Sequence, residues 1–433
     1  MQSRNMNDYC LFCRTLNLHM NKKTVGIFSI PVLVGALGYF VDIYDLLLFS
    51  IIRIPSLKSL GLNEKALADS GLFIINVQMI GLLIGGIFWG ILGDKYGRMK
   101  VLFASILMYS LGNIANGFVQ TVNQYAFIRF VTGIGLAGEL GASITLVSEL
   151  LPKEKRGLGT SLVAGIGLTG AVFAYILKEY FVNPITYEGW RMCYFIGGGL
   201  GFLLLLLRVG VLESGMFKSV QEATHVAKGS FFTLFKSWRN TKKYVLAILI
   251  GLPSWYCIGI LISFSKEFGE KMGVQGAIDP GQSVMYAYAA ISIGDIASGL
   301  ISQWFKSRKN AVYFFYAITI IGVVYYFFGG INTAAQMYWI CALLGFGTGF
   351  WAMFVTMAAE QFGTNIRATV TTTVPNMVRG SLNLVSWLFV AMQPSMGYVT
   401  SGWITGTVVL IIGLVALFYT EETFHKDLDY LEA

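Results

Sequence analysis

Long apolar runs recur along the whole chain, separated by short charged breaks or by breaks that contain glycine and proline. A helix needs roughly 20 residues to cross the hydrocarbon core of a bilayer, and most of these runs reach about that length. The pattern therefore predicts an all-α membrane protein with twelve transmembrane helices. We number these spans 1 to 12, and they cover 25–54, 68–92, 101–118, 125–151, 158–181, 192–211, 244–264, 283–304, 311–328, 337–359, 369–392 and 403–419.

The longest polar stretch, residues 212–243, separates span 6 from span 7 and predicts a division into two six-helix bundles. The first bundle covers 25–211 and the second covers 244–420, between an N-terminal tail, 1–24, and a C-terminal tail, 421–433. Within the linker, "SFFTLFKSW" can lie on the membrane surface as an amphipathic helix, and a plain connector is an equal alternative.

Only 12% of the 433 residues are charged, about half the fraction typical of soluble proteins. The 31 basic residues outnumber the 23 acidic ones, and they fall about three to one on the loops that share a side with both tails. This distribution predicts a multi-pass protein of the cell membrane with both termini in the cytoplasm. It also accounts for the basic excess without a nucleic-acid partner.

The metal-binding residue types are few and badly placed for a membrane metal centre. His19, His225 and His425 fall in the tails and in the linker, and Cys10 and Cys13 form a lone CxxC near the N-terminus, where unpaired thiols are the favoured interpretation. No nucleophile with a nearby base is evident. The sequence therefore predicts no metal, no cofactor and no enzymatic activity.

Two segments indicate an internal repeat. "ELLPKEKRG" and "EQFGTNIRA" each follow the fourth span of their half, and the spacing from Glu149 to Glu360 equals that from Arg156 to Arg367. Two parallel six-helix copies related by an axis along the membrane normal are the architecture of transporters that rock about a central site.

The octapeptide "GDKYGRMK" places four charges between spans 2 and 3. The longer segment "GILGDKYGRMK" resembles the signature of the major facilitator superfamily. The resemblance implies a cytoplasmic gate, and the alternative is that these charges only set the topology. The gate residues would be Gly93, Asp94, Gly97, Arg98, Glu149 and Arg156, with Glu360 and Arg367 in the second half.

Other segments resemble the sugar-porter and metabolite:proton-symporter branches of that family: "DIYDLLLF", "RFVTGIGLAGELGASITLVSELLPKEKRG", "LESGMFKSV" and "EETFHKDLDYLE". The chain departs from the pattern at Gly215, which replaces the usual proline, and in the second-half signature, which lacks its acid. The span 7 segment "GLPSWYCIGILISF" lacks the glutamine-rich pattern of hexose porters, which argues against a sugar substrate.

Ionisable groups inside spans are costly and usually mark a transport pathway. They are Asp42, Asp45, Arg129, Glu139, Asp295 and Arg379. The resemblance implies that Asp45 and Arg129 form a proton-coupling pair, with a static ion pair as the alternative. Asp42 lies one turn from Asp45. Asp42, Glu139 and Asp295 are further candidates for proton handling, and Asp42 and Glu139 also for substrate binding. The alternative is a structural role: a hydrogen bond to a neighbouring helix for Asp42 and Glu139, and helix packing for Asp295.

Arg379 in "PNMVRGSLN" is the candidate substrate-binding cation of the second half, together with Arg129 of the first. We predict that Pro375 breaks span 11 and that Asn376 and Asn383 add donors for a carboxylate or phosphate. The alternative is an Arg379 that pairs with Glu360. Candidate cavity aromatics, for which core or lipid contact is the alternative, are Trp255, Tyr256, Tyr286, Tyr288 and Trp351.

These features favour a monomeric, proton-coupled symporter that imports a small polar, anionic metabolite of the carboxylate type. Its partners would be the small-molecule substrate, protons and the lipid bilayer. An exporter of drugs or siderophores on the same fold, a sugar:proton symporter and a non-transporting sensor are the alternatives.

Overall fold

The computed structural model describes residues 30–96, 98–139, 153–213, 231–424 and 426, and the described part is almost entirely helical. Within the described residues, each of the twelve predicted spans coincides with one helix or with two consecutive helices, and span 4 is described only as far as residue 139. By length and hydropathy, nine helical segments of this described part can cross a membrane. The α-helices are Ile30–Ser59, Glu64–Tyr96, Arg98–Asn116, Val122–Leu136, Lys153–Leu168, Gly170–Phe181, Trp190–Glu213, Trp238–Tyr256, Ser265–Met272, Pro280–Phe305, Arg308–Phe328, Ala334–Gly347, Trp351–Glu360, Thr364–Gly380, Leu382–Met396 and Tyr398–Tyr419.

Within the first half, span 1 packs on spans 5 and 6, and span 4 packs on spans 2 and 3. Within the second half, span 8 packs on span 10 and span 7 on span 12. The halves meet where span 2 lies along span 11 and where span 5 lies along span 8. Glycine permits the closest approaches: a Cβ on Gly81 would lie 2.3 Å from the Phe130 carbonyl oxygen, and one on Gly345 would lie 2.2 Å from that of Ala287.

Span 10 is interrupted at residues 348–350, between the helices Ala334–Gly347 and Trp351–Glu360. The repeat that aligns Glu149 with Glu360 aligns this interruption with the turn at 137–138 in span 4. Gly349 faces Gly294 of span 8, and a Cβ on Gly349 would lie 2.6 Å from the Gly294 Cα. The interruption therefore brings the main chain of span 10 into direct contact with the main chain of span 8, at the centre of the second half.

Span 11 corrects one prediction. Pro375 lies inside the continuous helix Thr364–Gly380, and the interruption falls at Ser381 instead. Near it the Ser381 hydroxyl donates to the carbonyl of Val378 and the Asn383 amide donates to that of Gly380. Polar side chains therefore satisfy carbonyls that the interruption frees.

The linker is shorter than predicted at its C-terminal end, because the first helix of span 7 begins at Trp238 rather than at residue 244. The predicted surface helix "SFFTLFKSW" contains a short 3-10 turn, Phe231–Phe235, and the ring of Phe231 packs edge-on against Tyr244 at 6.4 Å. Span 7 then passes through a π-helical turn, Cys257–Ile262, before the short helix Ser265–Met272.

Candidate functional site

The six ionisable groups predicted inside the membrane are all buried, each with at most 1% of its surface exposed. They lie on spans 1, 4, 8 and 11, so both halves contribute. Charges in a dry interior are costly unless they are paired or hydrogen-bonded. The partners of each group therefore indicate its role. A fully paired group is structural, whereas a group with unused hydrogen-bonding atoms is available to a ligand or a proton.

Arg379 of span 11 faces Asp42 of span 1 across the boundary between the halves. The nearest contact, from a guanidinium nitrogen to a carboxylate oxygen, is 3.9 Å, too long for a hydrogen bond. Within the described residues neither Asp42 oxygen accepts a hydrogen bond, and Arg379 Nε donates none. Arg379 NH1 donates a long hydrogen bond, 3.4 Å, to Asn376 Oδ1. The ion pair is thus loose and leaves donors unused.

Two tryptophans flank the same guanidinium. Its carbon lies 6.0 Å from the ring centre of Trp255 and 5.7 Å from that of Trp351, and the two rings are in edge contact at 6.4 Å. Both indole Nε1 groups are buried and find no acceptor in the part of the chain that is described. Tyr39 and Tyr288 lie within electrostatic reach of Arg379. Buried donors without acceptors are rare in folded proteins and call for an explanation.

Asp45 and Arg129 meet, but not through their charges. Arg129 donates to the main-chain oxygen of Asp45 at 2.8 Å and to Gln78 Oε1 at 3.2 Å. The Asp45 carboxylate faces the Asn113 amide without forming a well-aligned hydrogen bond. Gly197 of span 6 makes room for it, since a Cβ there would lie 2.6 Å from the Asp45 carboxylate. Gln78 and Asn113, which the sequence analysis did not single out, complete this polar group.

Glu139 has a partner that the sequence analysis missed. Arg208 of span 6 binds it with both terminal nitrogens, and the contact from NH1 to Oε2 measures 3.0 Å. The sequence analysis did not single out Arg208, although it interrupts the apolar run "LLLLLRVG". Gly38 packs directly on this pair, with no space for a Cβ. Glu139 is therefore part of a fixed ion pair within the first half.

The two carboxylate oxygens of Asp295 differ in their contacts within the described residues. Its Oδ1 accepts the main-chain N–H of Ala352 at 2.9 Å, near the start of the helix that follows the span 10 interruption. Its Oδ2 accepts no hydrogen bond from any described residue. Carboxylates at helix N-termini are stabilised by the unpaired N–H groups there.

The other predicted substrate-binding residues divide into two sets. Asn376 lies at the centre and donates to the carbonyl of Ala137, in the turn of span 4, at 2.9 Å. Asn383 bonds to its own helix end, Tyr256 donates to the Gly402 carbonyl at 2.7 Å, and Tyr286 stacks on Tyr338. The contacts of these last three residues lie in helix packing rather than at Arg379.

Of the predicted gate, two side chains are described. Glu360 binds Arg308 at 3.2 Å and accepts from Thr423, and so does not pair with Arg379. Arg367 donates to the carbonyls of Ala359 and Phe362, both at 3.1 Å. Of the remaining gate candidates, Gly97 and Glu149 lie outside the described residues. For Gly93, Asp94, Arg98 and Arg156 the structure describes the main chain alone.

Comparison with known proteins identifies related chains. The model of the Major Facilitator Superfamily matches residues 35–385. The niacin transporter NiaP of Acinetobacter baylyi is 28% identical, over 77% of this chain and 80% of that protein. The cis,cis-muconate transport protein of the same species is 27% identical, over 92% and 95%. An inward open structure of the xylose transporter XylE from E. coli superposes with a TM-score of 0.67 at 19% identity, covering 93% of this chain and 99% of that one.

Proposed function

The chain belongs to the major facilitator superfamily, and from this membership we propose that it is a proton-coupled symporter importing a small carboxylate metabolite by alternating access. Membership makes it a multi-pass membrane transporter of a small molecule. The proton coupling, the anionic substrate and the direction are the proposal.

The observation that carries it is the group of unused donors around Arg379. A carboxylate beside this residue would accept from Arg379 Nε and could reach the Nε1 groups of Trp255 and Trp351, all of which lack acceptors within the described chain. Arginine presents a planar fork that matches a carboxylate, and hydrogen bonds between charged groups are about twice as strong as neutral ones. The relatives point the same way, because niacin and cis,cis-muconate are both carboxylates near neutral pH.

Proton coupling would arise because Asp42 and the substrate carboxylate compete for the same cation, Arg379. Asp42 is the carboxylate that now faces Arg379. A substrate carboxylate that took its place would leave Asp42 as a second buried anion beside one guanidinium, a costly arrangement that protonation of Asp42 relieves. Asp45 lacks well-aligned donors and is likewise costly to keep charged. Both support a transport cycle in which substrate and proton move together.

The test is uptake of radiolabelled niacin and cis,cis-muconate into proteoliposomes under an inward proton gradient. Arg379→Gln should reduce uptake about a hundredfold, since losing one charged partner of a buried anion costs roughly 3 kcal/mol. Arg379→Lys should recover part of it. Arg239→Gln, at an exposed arginine, is the matched control and should transport normally. Wild-type uptake by Arg379→Gln, or a wild-type protein that accumulates neutral sugars but no carboxylate, would overturn the proposal.

A further inference from the structure

A line of buried polar side chains runs inside the first half, from Asp45 towards the end of the bundle that carries residues 30 and 424, which we call the inner end. Asp45, Asn113 and Tyr109 are all completely buried. Within the described residues, both oxygens of the Asp45 carboxylate, both polar atoms of the Asn113 amide and the Tyr109 hydroxyl lack a well-aligned hydrogen bond. Buried polar groups without a protein partner are rare, and bound water commonly satisfies them.

Span 6 fixes the order of the groups along this line. A Cβ on Gly197 would lie 2.6 Å from Asp45 Oδ1. One turn later, a Cβ on Gly201 would lie 3.1 Å from the ring of Tyr109. Arg208 follows on the same face, because its distance from Gly197 along the sequence is close to three whole turns. The levels of Asp45, Tyr109 and Arg208 therefore succeed one another along the helix, over roughly 16 Å.

The neighbouring helices give the same order. Span 3 packs on spans 4 and 6, and on it Asn113 faces Asp45 while Tyr109 lies one turn closer to the inner end. On span 1, Gly38 lies two turns before Asp45 and packs on the ion pair of Glu139. The line therefore starts at Asp45, passes Tyr109 and ends at that ion pair.

Tyr109 links the two ends of the line. The charged groups within electrostatic reach of its hydroxyl come from the helices around it: Asp42 and Asp45 on span 1, Glu139 on span 4 and Arg208 on span 6. The hydroxyl has no hydrogen-bond partner among the described residues. A tyrosine hydroxyl can accept one hydrogen bond while it donates another, so it can relay a proton between two bound waters.

We propose that bound water fills the space between these polar groups and that Tyr109 relays the coupling proton from Asp45 to the inner end. Asp45 gives its proton to a first water. The Tyr109 hydroxyl accepts a proton from that water and donates its own to the next, and the last water releases a proton into the solvent at the inner end. Each link gains one proton and loses one, so only Asp45 changes its charge. The ion pair of Glu139 and Arg208 stays ionised and orients the last water.

This relay rests on the proposed proton-coupled transport, and it gives the proton a route of its own. Asp42 and Arg379 belong to different halves, so their separation changes when the halves rock against each other. The groups from Asp45 to Arg208 all belong to the first half and keep their spacing. The relay therefore stays assembled throughout the transport cycle, while the substrate moves between the halves.

The first measurement is X-ray radiolytic footprinting of the protein in lipid nanodiscs, with mass spectrometry of each tyrosine. Hydroxyl radicals form from water next to a side chain, so a buried tyrosine is oxidised quickly only where water is bound beside it. Tyr326 is the matched control, because it is also buried and donates its hydroxyl to the Leu261 carbonyl at 3.0 Å. Tyr109 should be oxidised several-fold faster than Tyr326.

Asn113→Leu tests whether that water belongs to the polar line. Leucine has about the same volume as asparagine but no polar side-chain atoms, so this variant should lower the oxidation rate of Tyr109 to that of Tyr326. Equal rates for the two tyrosines in the wild-type protein, or an unchanged Tyr109 rate in Asn113→Leu, would overturn the hydrated path.

The second measurement compares two rates in proteoliposomes with radiolabelled niacin or cis,cis-muconate: uptake driven by an inward proton gradient, and exchange at equal pH. Tyr109→Phe should lower the driven rate about a hundredfold, the low end of what a positioned proton donor contributes, and leave exchange unchanged. Tyr326→Phe should leave the ratio of the two rates as in the wild type. A wild-type ratio in Tyr109→Phe, including an equal loss of both rates, would overturn the relay.

The two proposals fail separately. Footprinting needs neither substrate nor a proton gradient, so it decides whether the path is hydrated even in a protein that takes up no carboxylate. Conversely, carboxylate uptake with a wild-type ratio of rates in Tyr109→Phe would overturn the relay and leave the proposed function standing.

Discussion

Asp45 is the residue whose substitution best separates coupling from transport. Its carboxylate is buried and lacks a well-aligned donor, while Arg129 holds the main chain beside it. Asparagine has nearly the same shape and cannot exchange a proton. We expect Asp45→Asn to abolish uphill accumulation driven by a proton gradient and to retain exchange of labelled for unlabelled substrate, both measured in proteoliposomes.

Asp69→Asn, at an exposed aspartate of span 2, is the control for that variant and should accumulate substrate normally. Equal loss of accumulation and exchange in Asp45→Asn would contradict the coupling role and favour a structural one. Retained accumulation would move the coupling proton to another carboxylate, with Asp42 the first to examine.

At the residue scale the sequence predicts which ionisable groups are buried in the spans, but it does not predict which residues they contact. The family resemblance suggested that Asp45 and Arg129 would be neighbours, and they are. The contact, however, uses the Asp45 carbonyl and Gln78, a detail fixed by the rotation of three helices about their axes. The partner of Glu139 was missed for the same reason. A single sequence does not show that Arg208 lies on the face of span 6 that packs towards span 4.

At the element scale, Glu422 shows how the C-terminal segment stabilises another helix. Its carboxylate accepts the main-chain N–H of Arg308 at 2.9 Å and of Lys309 at 3.2 Å, and also the Ser307 hydroxyl, at the start of span 9. A helix begins with unpaired N–H groups and a positive dipole end, so a carboxylate there acts as a cap supplied from a distant segment.

This cap predicts a pH dependence of stability. Partial burial raises the pKa of Glu422, but hydrogen bonds from Ser307 and from the Arg308 N–H outweigh it and hold the pKa below its usual value. The stabilisation is therefore present above the unfolded pKa, about 4.3, and is lost as pH falls through the folded one. Glu422→Gln should lower Tm by about 1–2 °C at pH 7, with the difference from wild type vanishing in acid.

The measurement is thermal unfolding of the detergent-purified protein from pH 7 down to about pH 2.5, because the series must pass below the lowered pKa of Glu422. Glu421→Gln is the comparison, because Glu421 pairs with Lys426 on the surface, where a salt bridge contributes little. A Glu421→Gln effect as large as that of Glu422→Gln would mean that general charge, rather than the cap, sets the stability.

The interruptions of the helices were harder to predict than the helices themselves. The apolar run 337–359 gives no sign of the break at 348–350, which depends on Gly349 meeting Gly294 of another span. Pro375 suggested a break that did not form, since a helix tolerates the loss of one N–H when its neighbours support it. The actual break at Ser381 is marked only by polar side chains able to satisfy freed carbonyls.

At the scale of the whole molecule, run length and the internal repeat were sufficient for twelve spans in two bundles, because the bilayer fixes the length of a helix and the repeat fixes the pairing of the halves. They did not reveal that span 2 would lie along span 11 and span 5 along span 8. That arrangement creates the central site, where Asp42 meets Arg379, and a second ion pair between the halves, where Arg53 meets Glu267.

Orientation in the membrane decides what these two sites do, and it remains a prediction from the basic residues. We expect Ile185→Cys, between spans 5 and 6, to react with a membrane-impermeant maleimide on intact cells, and Lys236→Cys, just before span 7, to react only after permeabilisation. Both positions are exposed, and Cys10 and Cys13 are replaced by serine in both variants. The reverse labelling would place Arg53 and Glu267 at the cytoplasmic side. An inward proton gradient would then have to load the central site from the end of the bundle that carries residues 30 and 424.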